Sequence, residues 1–154
     1  MLDPGIPAPD FTGVDQDGVE FRLSGLHGRW VVLYFYPKDE TTGCTAEACM
    51  FRDHLQSIAD LGAEVVGVSV QDRASHRQFA SNHRLNFRLV ADPEKGITRA
   101  YDALGFLGVA RRITYIIDPA GRIRDAHRSE LDPKGHVAHA ESRLRELGAD
   151  VAPR

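Results

Sequence analysis

The chain has only two cysteines in 154 residues, no long apolar run and no large excess of charge of one sign. No stretch approaches the ~20 apolar residues that a membrane-spanning helix needs. The net charge of −3 does not favour nucleic acid or an anionic membrane as a partner. A domain of this length buries roughly 70% of its unfolded surface. We therefore expect a single domain over residues 1–154 that needs no disulfide or metal for stability.

The N-terminal segment is rich in proline and has no basic region followed by an apolar one, so it does not resemble a secretion signal. Linkers, internal repeats and low-complexity tracts are also missing. We therefore expect a cytoplasmic protein. Thiols are kept reduced in that compartment, so a close pair of cysteines is more often redox-active or metal-binding than structural.

Apolar periodicity and turn residues predict alternating strands and helices. Continuous apolar runs indicate strands that are buried on both faces, and three- and four-residue spacing indicates helices. The predicted elements are a hairpin within 11–23, strands at 30–36, 64–70 and 87–92, helices at 45–61, 73–85 and 93–101, a second hairpin at 113–128, and a helix that opens at 133 and ends before 148.

Strands that alternate with helices favour a parallel sheet, and the second hairpin adds antiparallel strands to it. The expected fold class is therefore α/β, with a mixed central sheet flanked by helices and an N-terminal hairpin extension. That arrangement resembles a thioredoxin-like domain.

Cys44 follows the strand at 30–36 and a short loop, and it stands just before the predicted helix. The first amide groups of a helix are unpaired and carry partial positive charge, which stabilises a thiolate placed there. Only the thiolate is a good nucleophile, so this placement suits a reactive cysteine. Gly43 lets the backbone turn tightly and approach a small ligand. The hydroxyls of Thr41 and Thr42 are candidates to cap the helix or to donate to a bound oxygen.

Cys49 lies five positions beyond Cys44. If both residues are helical, the rise between them is ~7.5 Å and their Cα atoms are roughly 8–9 Å apart. A disulfide tolerates at most about 7 Å between Cα atoms. The two cysteines can therefore form a bond only if the first turns of the helix unwind.

Other interpretations of the cysteines stay open at this point. One is that both are inert and buried, because free cysteine often behaves as a small apolar residue. A structural zinc site needs four ligands, and the seven histidines are scattered; His136 and His139 share a helical face and are predicted to be a solvated surface pair. A disulfide-exchange enzyme normally carries Cys-x-x-Cys, which this spacing does not provide.

The stretch at 34–53, YFYPKDETTGCTAEACMFRD, resembles the peroxiredoxins. Their signature, Pro-x-x-x-Thr/Ser-x-x-Cys, is matched by Pro37, Thr41 and Cys44. The most similar branch is the Q-type, also called bacterioferritin comigratory protein, which commonly has a second cysteine five residues on, where Cys49 stands. The resemblance extends from PAPDF near the N-terminus to the last helix. It implies a thioredoxin-like fold and a thiol peroxidase.

The family also has an arginine two positions ahead of a threonine in its late strand, which is the place of Arg112 in RRITYIID. Arg111 is adjacent, and the alternation of side chains along a strand lets only one of the two point at the cysteine. The family pattern favours Arg112. Glu47 is a candidate to pair with Arg112, or it is an acid that complements the dipole in the first turn of the helix.

The resemblance implies a mechanism in which the Cys44 thiolate attacks a hydroperoxide and becomes a sulfenic acid. Arg112 and the helix N-terminus would stabilise the charges. The hydroxyl of Thr41 and the backbone N–H groups of Gly43 and Cys44 would orient the substrate, and Pro37 would shield the sulfur from water.

The resemblance further implies that Cys49 resolves the sulfenic acid into an intramolecular disulfide, which thioredoxin or a similar dithiol protein reduces. No metal or organic cofactor takes part. The preferred peroxide stays open, and a monomer is favoured over a dimer. Two other functions remain as alternatives, a disulfide reductase and a non-catalytic redox sensor on the same fold.

Two apolar stretches near these residues are predicted to be structural. Tyr34, Phe35 and Tyr36 are expected in the core or in a pocket wall. The loop at 105–109, GFLGV, is predicted to be an ordinary buried loop, with pocket lining or partner contact as the alternative.

Overall fold

Seven strands and four helices follow one another in the computed structural model, which describes residues 1–149. The strands are β1 (Thr12–Val14), β2 (Glu20–Arg22), β3 (Trp30–Phe35), β4 (Ala63–Ser69), β5 (Arg88–Ala91), β6 (Ile113–Ile117) and β7 (Ile123–Arg128). The helices are α1 (Thr42–Asp60), α2 (Arg73–His83), α3 (Gly96–Ala100) and α4 (Gly135–Glu146), and a 3₁₀ turn covers Leu23–Leu26.

Five strands form one mixed sheet in the order β5-β4-β3-β6-β7. The first three of these are parallel, and β6 and β7 add antiparallel pairs on the other side of β3. β1 and β2 form a separate antiparallel hairpin, whose turn uses Gly18 at a φ of 80°. The predicted mixed sheet, its flanking helices and its N-terminal hairpin are confirmed.

The central strand β3 is buried on both faces, as its apolar run predicts. Val32, Tyr34 and the following Tyr36 face a core shared with α1, α2 and α4. The alternate residues of β3 face the core on the opposite side, where α3 and the N-terminal segment pack. The ring of Tyr34 stacks on Phe51 of α1 at a centroid distance of 4.6 Å, which fixes α1 against the sheet.

The helix α1 begins at Thr42, three residues before the predicted start. Thr41 has extended backbone angles, and its carbonyl accepts the first helical hydrogen bond from the Thr45 amide at 2.8 Å. Cys44 therefore lies within the first helical turn, whereas the sequence predicted a position just before the helix. Thr41 occupies the N-cap position, but its side chain makes no capping hydrogen bond. Gly62, at a φ of 77°, ends the helix as predicted.

Two other helices, in contrast, start later than their Asp-Pro pairs predict. Ahead of α3, the carboxylate of Asp92 accepts from the amides of Ile97 and Thr98, while Lys95 is left-handed at a φ of 66°. The aspartate therefore caps α3 across an intervening turn, and the proline lies outside the helix. Asp132 likewise accepts from the Gly135 amide at 3.1 Å ahead of α4. Within residues 1–149, no helix is long and apolar enough to cross a membrane.

Candidate active site

Cys44 lies in the first turn of α1 and is only 1% exposed. Its Sγ is 3.4 Å from Nη2 of Arg112, so a guanidinium charge faces the sulfur directly. The unpaired amides of the first helical turn add partial positive charge on the same residue. Both contributions place positive charge beside the Cys44 sulfur, which is the environment of reactive cysteines.

Arg112 stands immediately before β6 and is buried. Its backbone N–H donates to the carboxylate of Glu130, and its Nη1 donates to Oε1 of Glu47 at 2.8 Å. Burial lowers the pKa of the guanidinium, but Glu47 and Cys44 raise it above its ordinary value. Arg112, and not Arg111, reaches the cysteine; neither residue is in the strand, so strand alternation does not decide between them.

Gly43 makes room for this arginine. A Cβ atom at Gly43 would lie 3.2 Å from Nη2 of Arg112 and 3.3 Å from Cγ of Pro133, which is tighter than ordinary contact. Its φ is not positive, so the glycine does not form the tight turn that the sequence suggested. The missing side chain instead lets Arg112 and the chain before α4 approach the start of the helix.

Glu47 is fully buried one turn beyond Cys44. Oε1 accepts from Arg112, whereas Oε2 has no hydrogen-bond partner among the described residues. Burial raises the pKa of Glu47 to about 8, although the neighbouring guanidinium pulls it down. An acid in this state is unusual for a structural ion pair, and strongly shifted groups of this kind concentrate at functional sites.

His136 is also fully buried, which corrects the prediction of a solvated pair with His139. Its Nδ1 is 2.8 Å from Oγ1 of Thr114 and 3.8 Å from Oε2 of Glu47. The signal that could have revealed it is the buried face of α4, because residues 136, 140 and 144 share one helical face and the latter two are core residues. We call Cys44, Glu47, Arg112, Thr114 and His136 the active-site cluster.

A second buried cluster fixes the loop that leads into α1. His76 places Nδ1 2.7 Å from Oδ2 of Asp39 and Nε2 3.0 Å from the carbonyl of Val90. Both partners offer acceptor oxygens, so each ring nitrogen faces an acceptor. Tyr36 donates to Oδ1 of Asp39 at 2.6 Å, and Ser75 donates to Oδ2 at 2.7 Å.

Burial raises the pKa of Asp39, but these hydrogen bonds and the charge of His76 lower it below its ordinary value. We call Tyr36, Asp39, Ser75 and His76 the loop anchor. No sequence motif indicates it, because its members come from two separate segments of the chain, the loop after β3 and the start of α2.

Thr41 and Pro37 lie at the outer side of the site. Thr41 is exposed, and its hydroxyl donates to the carbonyl of Lys38 at 2.9 Å, so its oxygen still has lone pairs to offer. Pro37 lines a groove of about 300 Å³ together with Phe106 and Leu107. These two side chains are 94% and 77% exposed, so the prediction of a buried loop at 105–109 is wrong. Phe106 and Leu107 extend outward beside Pro37 and line one side of this groove.

Cys49 is half-buried and lies in the same helix as Cys44, and both are free thiols. An intact helix keeps residues five positions apart at roughly 8–9 Å between Cα atoms, beyond the reach of a disulfide. Within residues 1–149, no group of three or more His, Cys, Asp or Glu side chains is arranged to hold a metal ion.

Comparison with known proteins finds similar sequences that cover most of the chain. The sequence profile of the AhpC/TSA family matches residues 4–126. Peroxiredoxin Q from the chloroplast of Oryza sativa subsp. japonica is 39% identical over 147 residues; the match covers 93% of this chain and 67% of the rice protein, so the chain spans about two thirds of that relative's length. Peroxiredoxin Bcp of Bacillus subtilis is 37% identical, and the match covers 95% of this chain and 97% of that protein.

Solved structures give the same picture. Peroxidoxin BcpB from Mycobacterium tuberculosis superposes with a TM-score of 0.89 at 33% identity, covering 96% of this chain and 99% of that one. Bacterioferritin comigratory protein from Xanthomonas campestris, whose structures concern alkyl peroxide reduction, superposes with a TM-score of 0.86 at 28% identity, covering 94% and 99%.

Proposed function

Because the chain belongs to the AhpC/TSA family, we propose that its Cys44 thiolate reduces hydroperoxides. The protein is a thiol peroxidase of the peroxiredoxin Q and Bcp type, an oxidoreductase that acts on hydroperoxides with a thiol reductant. The observation that carries the assignment of Cys44 is the 3.4 Å contact between its sulfur and Arg112 in the first turn of α1.

The chemistry follows from that contact. The Cys44 thiolate attacks one oxygen of the peroxide, a sulfur–oxygen bond forms, and the oxygen–oxygen bond breaks. Cys44 becomes a sulfenic acid, and the leaving oxygen takes a proton to give water or an alcohol. Arg112 and the amides of Gly43 and Cys44 face the charge that moves from sulfur to oxygen, which is the arrangement that lowers such a barrier. Thr41 is proposed to orient the peroxide from the open side.

The groove beside Pro37 supports activity on organic hydroperoxides as well as hydrogen peroxide. It is walled by the exposed side chains of Phe106 and Leu107, which offer an apolar surface to an alkyl group. Hydrogen peroxide needs none of this surface. Truncation of Phe106 should therefore slow an organic hydroperoxide and leave the rate with hydrogen peroxide unchanged.

The second half of the cycle is assigned to Cys49. Its thiol condenses with the sulfenic acid, water leaves, and a disulfide joins the two residues. The helical distance between them requires that the first turns of α1 open before the bond forms. Thioredoxin or a similar dithiol protein is the proposed reductant, because its two thiols supply the two electrons that return both cysteines to the reduced state.

We further propose that the protein works as a single-domain monomer in the reducing cytoplasm. Every member of the active-site cluster comes from one chain, so a second copy is not needed to complete the site. A reducing compartment keeps both thiols free and supplies the dithiol reductant. Sedimentation equilibrium of the reduced protein checks the oligomeric state.

The deciding measurement is the intact mass and the free-thiol count before and after one equivalent of hydrogen peroxide. We expect loss of two hydrogens and of both thiols, and no reaction in Cys44→Ser. Cys49→Ser should consume one equivalent of peroxide and then fail to turn over with thioredoxin. If both thiols survive in the unaltered protein, Cys44 is not an activated nucleophile and the assignment fails. Reaction without thioredoxin-driven turnover would favour a redox sensor.

A further inference from the structure

The hydrogen bonds of His136 fix which of its ring nitrogens carries the proton. Nε2 lies 2.8 Å from the carbonyl oxygen of Ser129, which only accepts, so Nε2 is the donor. Nδ1 lies 2.8 Å from Oγ1 of Thr114, whose hydroxyl donates to it. The neutral ring therefore presents an unprotonated Nδ1, with its lone pair, to the interior of the site.

Nδ1 of His136 faces Oε2 of Glu47, the oxygen that has no hydrogen-bond partner within residues 1–149. Oε2 of Glu47 is 3.8 Å from Nδ1 of His136, and both side chains are completely buried. An ionised Oε2 would meet a lone pair and find no donor, which is costly in a buried site. The single lone pair of Nδ1 already accepts from Thr114, so the ring has no proton to donate to Oε2, and a protonated carboxyl avoids the cost of a buried charge that lacks a donor.

We propose that His136 is a positioning residue for the peroxidase reaction. Its unprotonated Nδ1 keeps Glu47 in the protonated, neutral form, which leaves the positive charge of Arg112 to the Cys44 thiolate. An ionised Glu47 would hold a negative charge 2.8 Å from the same guanidinium and would compete with the thiolate for it. The inference deepens the proposed function, since it concerns the group that activates the same thiol.

The other charged and titratable groups around the pair act in the same direction. The charge of Glu130 disfavours a further negative charge on Glu47. Tyr34 of β3 also faces the site, and burial, together with Glu47 and Cys44, raises its pKa well above the ordinary value, so it stays neutral. Among the charged groups of residues 1–149 that act on Glu47, Arg112 alone favours its ionised form.

His136 is surrounded by groups that keep it neutral. The ring of His127 from β7 lies 4.8 Å away in an edge-to-face arrangement, and His139 of the same helix stacks on His127 at 4.0 Å. Burial, followed by the charges of His127, Arg112 and His139, lowers the pKa of His136 to about 4, against the hydrogen bond to Ser129. The ring is therefore neutral at the pH at which the enzyme works.

The test follows the reactivity of Cys44 toward iodoacetamide as a function of pH, in a Cys49→Ser background. Alkylation reports the thiolate without any peroxide, so its outcome is separate from that of the peroxidase assay. His136→Asn places an amide donor beside Oε2, which favours the ionised carboxylate. We expect the rising limb of the pH–rate profile to move to higher pH by about one pH unit, because the ionised Glu47 offsets the charge of Arg112, and a nearby charge shifts a titration by that order.

Glu47→Gln supplies the decisive comparison, since glutamine mimics the neutral acid. We expect Glu47→Gln to leave the rising limb of the pH–rate profile unmoved. In the double variant, His136→Asn should then no longer shift that limb. A merely structural histidine would shift the limb equally with and without the Glu47→Gln substitution, which would overturn the proposal. A shift of the Glu47→Gln limb to lower pH would also overturn it, because that result shows that Glu47 is ionised in the unaltered protein.

Two controls complete the design. His139→Asn alters a histidine of the same helix that bonds to Asp125 and does not face Glu47, so it should not move the limb. Thermal unfolding establishes that each variant is folded before its profile is used. If His136→Asn does not fold, Glu47→Gln alone decides, since an unmoved limb supports a neutral Glu47 and a limb at lower pH contradicts it.

Discussion

Two buried polar clusters meet the loop between β3 and α1, and they are built differently. In the loop anchor, the buried side chains of Tyr36, Asp39 and His76 all find hydrogen-bond partners. In the active-site cluster, two buried atoms have no hydrogen-bond partner among the described residues: Oε2 of Glu47 and Nε of Arg112. Both clusters contain a buried acid beside a basic side chain, so the difference lies in how completely the hydrogen-bonding groups are satisfied.

The difference separates a scaffold from a reacting site. A satisfied network rigidifies its surroundings, whereas an unsatisfied buried polar atom costs free energy and persists where function needs it. The loop anchor therefore holds the loop before α1 in place, and the active-site cluster keeps its charge available to the sulfur. Substitutions in the first should lower stability, and those in the second should lower the rate.

The largest expected effect is on stability, in the loop anchor. Asp39→Asn removes the buried carboxylate to which His76, Tyr36 and Ser75 bond, and breaking a buried pair in this way should lower the free energy of unfolding by about 3–5 kcal/mol. Urea unfolding at pH 7 measures the loss. Asp53→Asn is the control, because its pair with Arg52 is on the surface and should contribute far less. Equal losses in the two variants would remove the distinction between anchor and surface.

The next effect is on rate, in the active-site cluster. Arg112→Met removes the charge that faces Cys44, and the rate of Cys44 oxidation by hydrogen peroxide should fall about 10²–10³-fold. Stability should change less than in Asp39→Asn, because a protonated Glu47 is not left as an uncompensated buried charge when its partner is lost. Stopped-flow oxidation and urea unfolding give the two numbers. Arg111→Met, which changes the neighbour that does not reach the sulfur, should leave the rate within about threefold.

Much of this molecule was predictable from the sequence because the signals are local. The apolar run of β3, the spacing of α1 and the turn at Gly62 each depend on neighbouring residues, and the signature around Cys44 places the reactive sulfur. The start of α1 was placed three residues too late, although Thr41, a residue type that favours N-caps, stands at the observed start. Propensity does not encode the tertiary contacts that extend the helix to Thr42.

The polar clusters were not predictable because their members are distant in the chain. Asp39 and His76 are 37 residues apart, and Glu47 and His136 lie in helices at opposite ends of the chain. A lone histidine on a predicted helix gives no indication of what it faces. The outward turn of Phe106 and Leu107 was missed for a related reason: apolar composition predicts burial, and only the fold shows that these side chains border a groove.

A smaller effect is the pH dependence that Glu47 contributes to stability. Its pKa in the folded protein, about 8, lies above the ordinary value of 4.5 because of burial, so the folded state holds the proton more tightly than the unfolded chain. That contribution is fully present below pH 4.5 and is lost as the pH rises through about 8. Between about pH 6.5 and 8, the unaltered protein should lose about 2 kcal/mol relative to Glu47→Gln.

Urea unfolding across that range measures the trend for Glu47. His136 does not interfere, because both proteins carry it: its pKa, lowered by burial to about 4 from 6.5, adds the same pH dependence to each. Glu146→Gln, at the exposed end of α4, is the control and should show no trend, since hydrogen bonds from Arg143 and Ser142 lower the pKa of Glu146. A flat difference between Glu47→Gln and the unaltered protein would mean that Glu47 is an ordinary ionised partner of Arg112.

The smallest expected effect is that of Gly43→Ala. It distinguishes the active-site cluster from the loop anchor most clearly, because rate and stability should change in opposite directions. Gly43→Ala places a methyl group 3.2 Å from Nη2 of Arg112, so the guanidinium must shift by a few tenths of an ångström away from the sulfur. We expect Cys44 oxidation to slow about tenfold, since displacements below about 1 Å are costly at a reacting centre. Alanine also favours the helix by up to about 1 kcal/mol, so the free energy of unfolding should hold or rise. Gly96→Ala, at the start of α3 with open space around it, should stabilise without slowing the reaction. If Gly43→Ala slows nothing, the placement of Arg112 tolerates displacement, and the close approach at Gly43 is a matter of packing alone.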